Sequence, residues 1–181
     1  GALGETGLFF FFFITNTGGE NADIRGIQWG LSTGNYTTNV TSSGNFTTGA
    51  FTENITLLPQ GTTIYARAEA HNSQGWAYGS EVTFATLLPV APSFFLVSAG
   101  NQQIDLSWTK GTGADNTTIR GTVGSYPTSY TNGTAVYENT STSTTHSGLN
   151  NGDHWYYRAW SNRTENGITA YSATYSQGDA T

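Results

Sequence analysis

Apolar and polar residues alternate along most of this chain with a period of two. Over 102–109, Ile104, Leu106 and Trp108 fall on one side, with Asp105 and Ser107 on the other. That is the pattern of a half-buried β-strand. Over 62–72, Ile64, Ala66 and Ala68 alternate with Tyr65 and Arg67. Over 154–162, Trp155, Tyr157 and Ala159 alternate with Tyr156, Arg158 and Trp160. Further strands are predicted at 8–15, 24–31, 36–41, 46–57 and 76–86, and then at 93–99, 117–123, 142–148 and 168–176. One or two short strands fall within 126–138, broken by Asn132-Gly133, a hairpin-type dipeptide. No segment sustains the 3.6-residue period of a helix. The fold class is all-β.

The pattern is stated twice. Leu58, Gly61, Tyr65, Arg67 and Ala68 return as Leu149, Gly152, Tyr156, Arg158 and Ala159, 91 residues later. That period is too long for a solenoid repeat of about 20–50 residues and matches one small sandwich of roughly 100. The chain is therefore expected to hold two copies of one module, at 1–86 and 93–181. Leu87 to Pro92 would join them, because Pro89 and Pro92 cannot donate to a ladder. In the first copy only Gly1 to Gly7 precedes the strand equivalent to 102–109, so its opening strand is expected to be missing.

These motifs resemble tandem fibronectin type III-like modules of microbial and viral surface proteins. Ile104-Asp105-Leu106-Ser107-Trp108 is similar to that family's second strand with its core Trp, and the Leu-x-x-Gly-x-x-aromatic corner precedes the sixth strand. The resemblance covers the chain after Gly7 and implies two antiparallel, immunoglobulin-like β-sandwiches in tandem. It specifies fold far better than function. Six residues after the corner Leu the family has a Tyr that bonds back across the corner. Here Ile64 and Trp155 stand in its place, leaving at best an indole N–H in the second copy.

Leu8-Phe9-Phe10-Phe11-Phe12-Phe13-Ile14 departs from the alternation. Seven residues are too few for a membrane-spanning helix of about 20. No basic segment precedes them and no small-residue cleavage site follows, as a signal peptide requires. Read as a strand, the run is apolar at every position. Either both faces are covered or phenylalanines sit partly in water, inviting association. With an incomplete first module, that makes Leu8 to Ile14 the candidate self-association segment, covered by a neighbouring chain.

Composition narrows the partners. Charged residues are 10% of the 181, net charge is −6, Lys110 is the only lysine and the five arginines are scattered. Phosphate recognition needs clustered cations, so no nucleic-acid partner is expected. There is no cysteine, and hence no disulfide framework or thiolate chemistry. His71, His146 and His154 lie far apart without a zinc-ligand pattern. Glu53, Glu69, Glu81, Asp105 and Asp115 are mostly single residues at outward or turn positions, whereas glycoside hydrolysis needs two carboxylates across a cleft. No Gly-x-Ser-x-Gly, P-loop or EF-hand motif occurs. The sequence predicts no enzyme, and no catalytic, cofactor or metal site.

The densest chemical signal is Asn-x-Ser/Thr, at Asn35, Asn39, Asn45, Asn54, Asn116, Asn132, Asn139 and Asn162, eight of fifteen asparagines. Chance in a chain about one quarter Ser and Thr gives about four. Six of the eight fall between the third and sixth strands of their module, which predicts N-glycans on matching faces. A second candidate surface is the outward set Tyr65, Arg67, Tyr156, Arg158 and Trp160, since interfaces favour Tyr, Trp and Arg and sugar platforms use aromatic rings. The alternative is that each Arg stacks on its own neighbours.

Three functions are consistent with this reading. The first is an extracellular or cell-surface structural protein, a glycosylated subunit or segment of a filament, sheath, fibre or adhesin that associates with copies of itself. The second is a pair of accessory or carbohydrate-binding spacer modules of a secreted polysaccharide-active enzyme, with surface polysaccharide as partner. The third is a viral tail or capsid decoration. A secretion signal is expected to be absent from this sequence, already removed.

Overall fold

A computed structural model of the chain describes residues 8–181, with side chains from residue 10 onward. The chain divides into two compact units, one ending at Leu87 and one running from Leu88 to Thr181. Both are built from antiparallel strands, and among the described residues there is no helix.

In the first unit, β1 (Leu8–Ile14) pairs with β4 (Gly49–Ile55) as a two-stranded sheet. The facing sheet runs in the order β3 (Thr38–Phe46), β2 (Ala22–Gly30), β5 (Thr63–Asn72), β6 (Gly75–Tyr78), with β7 (Val82–Ala85) also pairing β5. Ile27, Trp29, Ile55, Ile64 and Ala66 form the core, with Phe10, Phe12, Leu58 and Phe84 packed around it. Ile14, Ala22 and Phe51 form a smaller cluster at one end.

Among the described residues, the second unit repeats this plan with one strand more. Its smaller sheet has the order β12 (Ser143–Ser147), β9 (Gln103–Thr109), β8 (Ser93–Gly100). The larger runs β11 (Thr134–Asn139), β10 (Asn116–Val123), β13 (Trp155–Glu165), β14 (Ile168–Tyr171), with β15 (Ser176–Ala180) also on β13. This is the arrangement of a fibronectin type III-like sandwich. Ile104, Leu106, Trp108, Ile119, Tyr157 and Ala159 are its core, so the inward sets of β9 and β13 are those the alternation predicts. Trp108 is buried, packs edge-on against Tyr137 at 5.2 Å and donates its indole N–H to Thr117 Oγ1 at 2.9 Å.

The 91-residue repeat has a physical basis. Gly61 and Gly152 hold φ of 62° and 97°, a region that penalises a Cβ, and so turn the chain into β5 and β13. Leu58 and Leu149 pack onto their respective cores just before that turn. The indole N–H of Trp155 finds no hydrogen-bond partner among the described residues, so it does not replace the missing corner tyrosine. Instead the Tyr157 hydroxyl and His146 Nδ1 meet at 3.0 Å.

Several expected boundaries move. The strand expected at 36–41 extends to Phe46, and β4 begins at Gly49, whose φ of 145° ends the intervening turn. The final strand of each unit is split in two. In the first unit the break falls at 79–81, where the Gly79 N–H still reaches Ala68 O and the Glu81 side chain turns away to the 33–36 loop. The expectation that Gly1 to Gly7 supplies no opening strand lies outside the described residues.

Candidate association surface

The phenylalanine run alternates after all. Phe10 and Phe12 face the core half-buried and Ile14 is buried, while Phe11 and Phe13 point outward at 74% and 67% exposure. The register sets Phe11 opposite Thr52 and Phe13 opposite Ala50, with Asn54 exposed further along β4. The second unit supplies an internal comparison, because on β9 the outward positions are Asp105, Ser107 and Thr109. The outward row that is polar on β9 thus carries two large apolar rings on β1, while in the second unit the exposed apolar residues of that sheet, Phe94 and Leu96, stand on β8. Solvent contact at these rings is costly, at about 25 cal/mol per Å² of apolar surface.

Among the described residues β1 has one strand neighbour, β4. Among these residues no strand pairs with its other edge as β8 pairs with β9. An apolar strand with an open edge is a template for pairing.

The second candidate surface is largely engaged by its own unit. Both Arg67 Nε and Nη2 donate to Gln28 Oε1, at 3.0 and 2.9 Å, and its guanidinium lies between Tyr78 at 3.8 Å and Tyr36 at 4.3 Å. Arg158 donates to Gln177 Oε1 and Pro127 O, at 3.1 and 2.8 Å, and stacks on Tyr175 at 4.0 Å and Tyr126 at 5.3 Å. Tyr65 and Tyr156 are half-buried. Trp160, expected to be exposed, is buried under Tyr130 and Tyr175, because the segment before β11 folds back over the outer face of β13.

Each arginine stack is pinned by a carboxylate that the sequence did not single out for this role. Glu81 accepts from Thr33 Oγ1 (2.7 Å), the Gly34 N–H (2.8 Å) and the Tyr36 hydroxyl (2.7 Å). These donors, the Gly34 N–H foremost, hold its pKa below the usual carboxylate value, and the bond from the Tyr36 hydroxyl to Glu81 raises that of Tyr36. In the second unit Asp179 accepts from the Tyr126 hydroxyl at 2.5 Å and pairs with His154 at 2.7 Å. The Tyr126 bond lowers the pKa of Asp179, and the phenol is pushed up to about 12. The available signal was position, since Glu81 and Asp179 both sit on the last strand region of their repeat.

The histidines stay apart. His71 pairs with Asp23 at 2.7 Å, His154 with Asp179, and His146 with the Tyr157 hydroxyl, where burial lowers its pKa. The scattered carboxylates also have structural partners. Glu53 accepts from Ser42, Asp105 from Thr145, and the buried Glu69 faces Asn39 Nδ2 at 3.5 Å. Asp115 meets Lys110 only through its backbone carbonyl. Among the described residues no group of three or more His, Cys, Asp or Glu is placed to hold a metal ion. No helix among them is long and apolar enough to cross a membrane.

Of the Asn-x-Ser/Thr sites, Asn35, Asn39, Asn45, Asn54, Asn132 and Asn139 are exposed and Asn116 is half-buried. Asn162 is not available. It is 2% exposed, and its Nδ2, the atom a glycan would take, donates to Thr118 Oγ1 inside the sandwich. Nor do the exposed sites of the first unit share one face, because Asn39 and Asn45 lie on β3 and Asn54 on β4 of the opposite sheet.

No protein-family model and no curated protein matches this sequence. Among solved structures, the chain is similar to the crystal structure of the chicken CNTN1 FN1-FN3 domains, with 14% identity and a TM-score of 0.41. The match covers 87% of this chain and 56% of that one, so this chain spans just over half the length of that structure.

Proposed function

We propose that this chain is a non-enzymatic structural protein of the extracellular surface, a glycosylated subunit or segment of a filament, sheath, fibre or adhesin. It associates with copies of itself through the first unit. The observation that carries this reading is the exposure of Phe11 and Phe13 at positions where the second unit has polar residues. Monomeric proteins seldom leave such a patch uncovered beside an open strand edge. Low charge supports it further, since few lysines or carboxylates stand by to repel a neighbour.

The six exposed sequons support a glycan coat. Asn54 would carry its glycan on the same sheet face as Phe11 and Phe13, and Asn39 and Asn45 would carry theirs on the facing sheet of that unit. The arginine-stacked tyrosines favour a rigid scaffold over a sugar platform, because much of their ring surface is already engaged. Sedimentation equilibrium over a concentration series tests the reading: an average mass rising above the 19.3 kDa polypeptide is expected, and a monomer at all concentrations would overturn it.

A further inference from the structure

Trp76 and Tyr78 stand two residues apart on β6, so both project from the outer face of the larger sheet of the first unit. Their rings run nearly parallel, 10° apart, with centroids at 6.4 Å. Both are exposed, at 45% and 47%, although each is held in place. The Arg67 guanidinium, itself stacked on Tyr36, covers one side of Tyr78 at 3.8 Å. His71, opposite Trp76 in the ladder, meets the indole at 4.9 Å. Asp23 Oδ1 fixes that imidazole through Nδ1 at 2.7 Å. Trp76 is the ring of this row that no arginine covers.

The second unit shows a flat group seated at the matching place. Asn162 is related to His71 by the 91-residue repeat, and Tyr171 stands opposite it as Trp76 stands opposite His71. Tyr130 lies flat on Tyr171, with centroids 3.7 Å apart and planes within 3°. There the chain covers its own ring. In the first unit, Trp76 has ring contacts only with His71 and Tyr78 among the described residues, and nearly half of it stays open.

The polar groups at the side of this ring define the ligand. Among the described residues, His71 Nε2 and Asp23 Oδ2 carry no hydrogen bond of their own, so a donor and an acceptor are both on offer. A pyranose has a C–H face to lie on the indole and hydroxyls at its edge to meet those two groups. Aromatic rings with a few placed polar groups are the usual lining of a small-ligand site. The net charge of −6 and the Asp23 carboxylate disfavour an anionic sugar. Rings already fixed by their neighbours lose little freedom on binding.

We propose that Trp76 and Tyr78, with His71 and Asp23 beside them, form a platform for the pyranose ring of a neutral sugar. This goes beyond the structural role above and stands whether or not the chain associates with itself. A free polysaccharide and an N-glycan of another chain both present such a ring.

The test uses the full 181-residue chain from a non-glycosylating host. Cellohexaose, mannohexaose, laminarihexaose and a free oligomannose N-glycan are titrated by calorimetry, with the Trp76 indole N–H followed by NMR. Saturable binding of at least one probe is expected, together with a shift of the Trp76 signal. Binding of the hexaoses alone assigns the site to polysaccharide, and binding of the N-glycan alone assigns it to a glycosylated partner. Trp76→Ala should weaken binding about tenfold or more, and Trp76→Phe, which keeps a ring, should retain part of it. Thermal melts of both variants are run alongside, and Trp76→Phe serves if Trp76→Ala does not fold. Failure of every probe to bind would overturn the inference. So would binding that leaves the Trp76 signal in place, or that a folded Trp76 variant retains in full.

Discussion

The side-chain nitrogen of Asn162 donates to the Thr118 hydroxyl at 2.7 Å, with both residues at most 2% exposed. A glycosylation motif that reads like seven others along the chain is thus part of a buried polar pair. Because the partner would be left unsatisfied in a closed environment, truncation there costs more than the bond contributes. Site-resolved mass spectrometry of protein from a glycosylating source should find glycans on several of the exposed asparagines and none on Asn162. Asn162→Ala should lower stability by about 1–3 kcal/mol. A glycan on Asn162 of folded protein would contradict the assignment.

Trp108 is expected to dominate the core of the second unit. It combines burial, the Tyr137 edge contact and the bond to Thr117. Trp108→Ala should cost about 3–5 kcal/mol, a large share of the roughly 5–15 kcal/mol that holds a domain folded. Thermal melting followed by circular dichroism checks it, and a wild-type melting curve would contradict it.

Arg67 should not tolerate lysine. An ammonium group cannot reproduce two N–H donations to Gln28 together with flat stacking between Tyr36 and Tyr78. Arg67→Lys is expected to cost about 1 kcal/mol and to leave self-association unchanged, because the stack lies on the other sheet from Phe11. Chemical denaturation and sedimentation of the same variant test both halves.

Stability should fall on either side of neutrality, and the signs follow from the direction of each shift. His146 is held below its ordinary 6.5 by burial, so the unfolded chain protonates first and stability begins to fall as pH drops through about that value. Glu81 and Asp179 are also lowered, and their contribution is lost as pH falls further, through their folded values. Tyr126 is raised from 10.0 to about 12, so its contribution holds below 10 and is lost as pH rises toward 12. Melting temperature against pH should therefore plateau between about 7 and 9 and decline at both ends. Tyr126→Phe should flatten part of the alkaline decline.

Legibility in the sequence followed locality. The alternation on β9 and β13 placed Leu106, Trp108, Tyr157 and Ala159 inward, because strand parity depends only on neighbours two residues away. The corner glycines were legible as a repeat because one backbone conformation demands them twice. Trp160 was not legible as buried, since its cover comes from Tyr130, thirty residues earlier, and from Tyr175. Asn162 was lost for the same reason, its partner lying on β10. The parity of Phe11 and Phe13 was hidden because every position of the run is apolar, and only pairing with β4 settles which rings face out.

The most direct test of the account is sedimentation equilibrium of unglycosylated protein against the double variant Phe11→Asp with Phe13→Ser, which gives β1 the polar outward residues of β9. Both side chains are largely solvent-exposed, so the variant should melt like the parent, and the melt is run alongside. The account predicts that the parent associates with rising concentration and that the double variant stays monomeric at 19.3 kDa. A parent that never associates, or a folded double variant that associates as strongly as the parent, would contradict it.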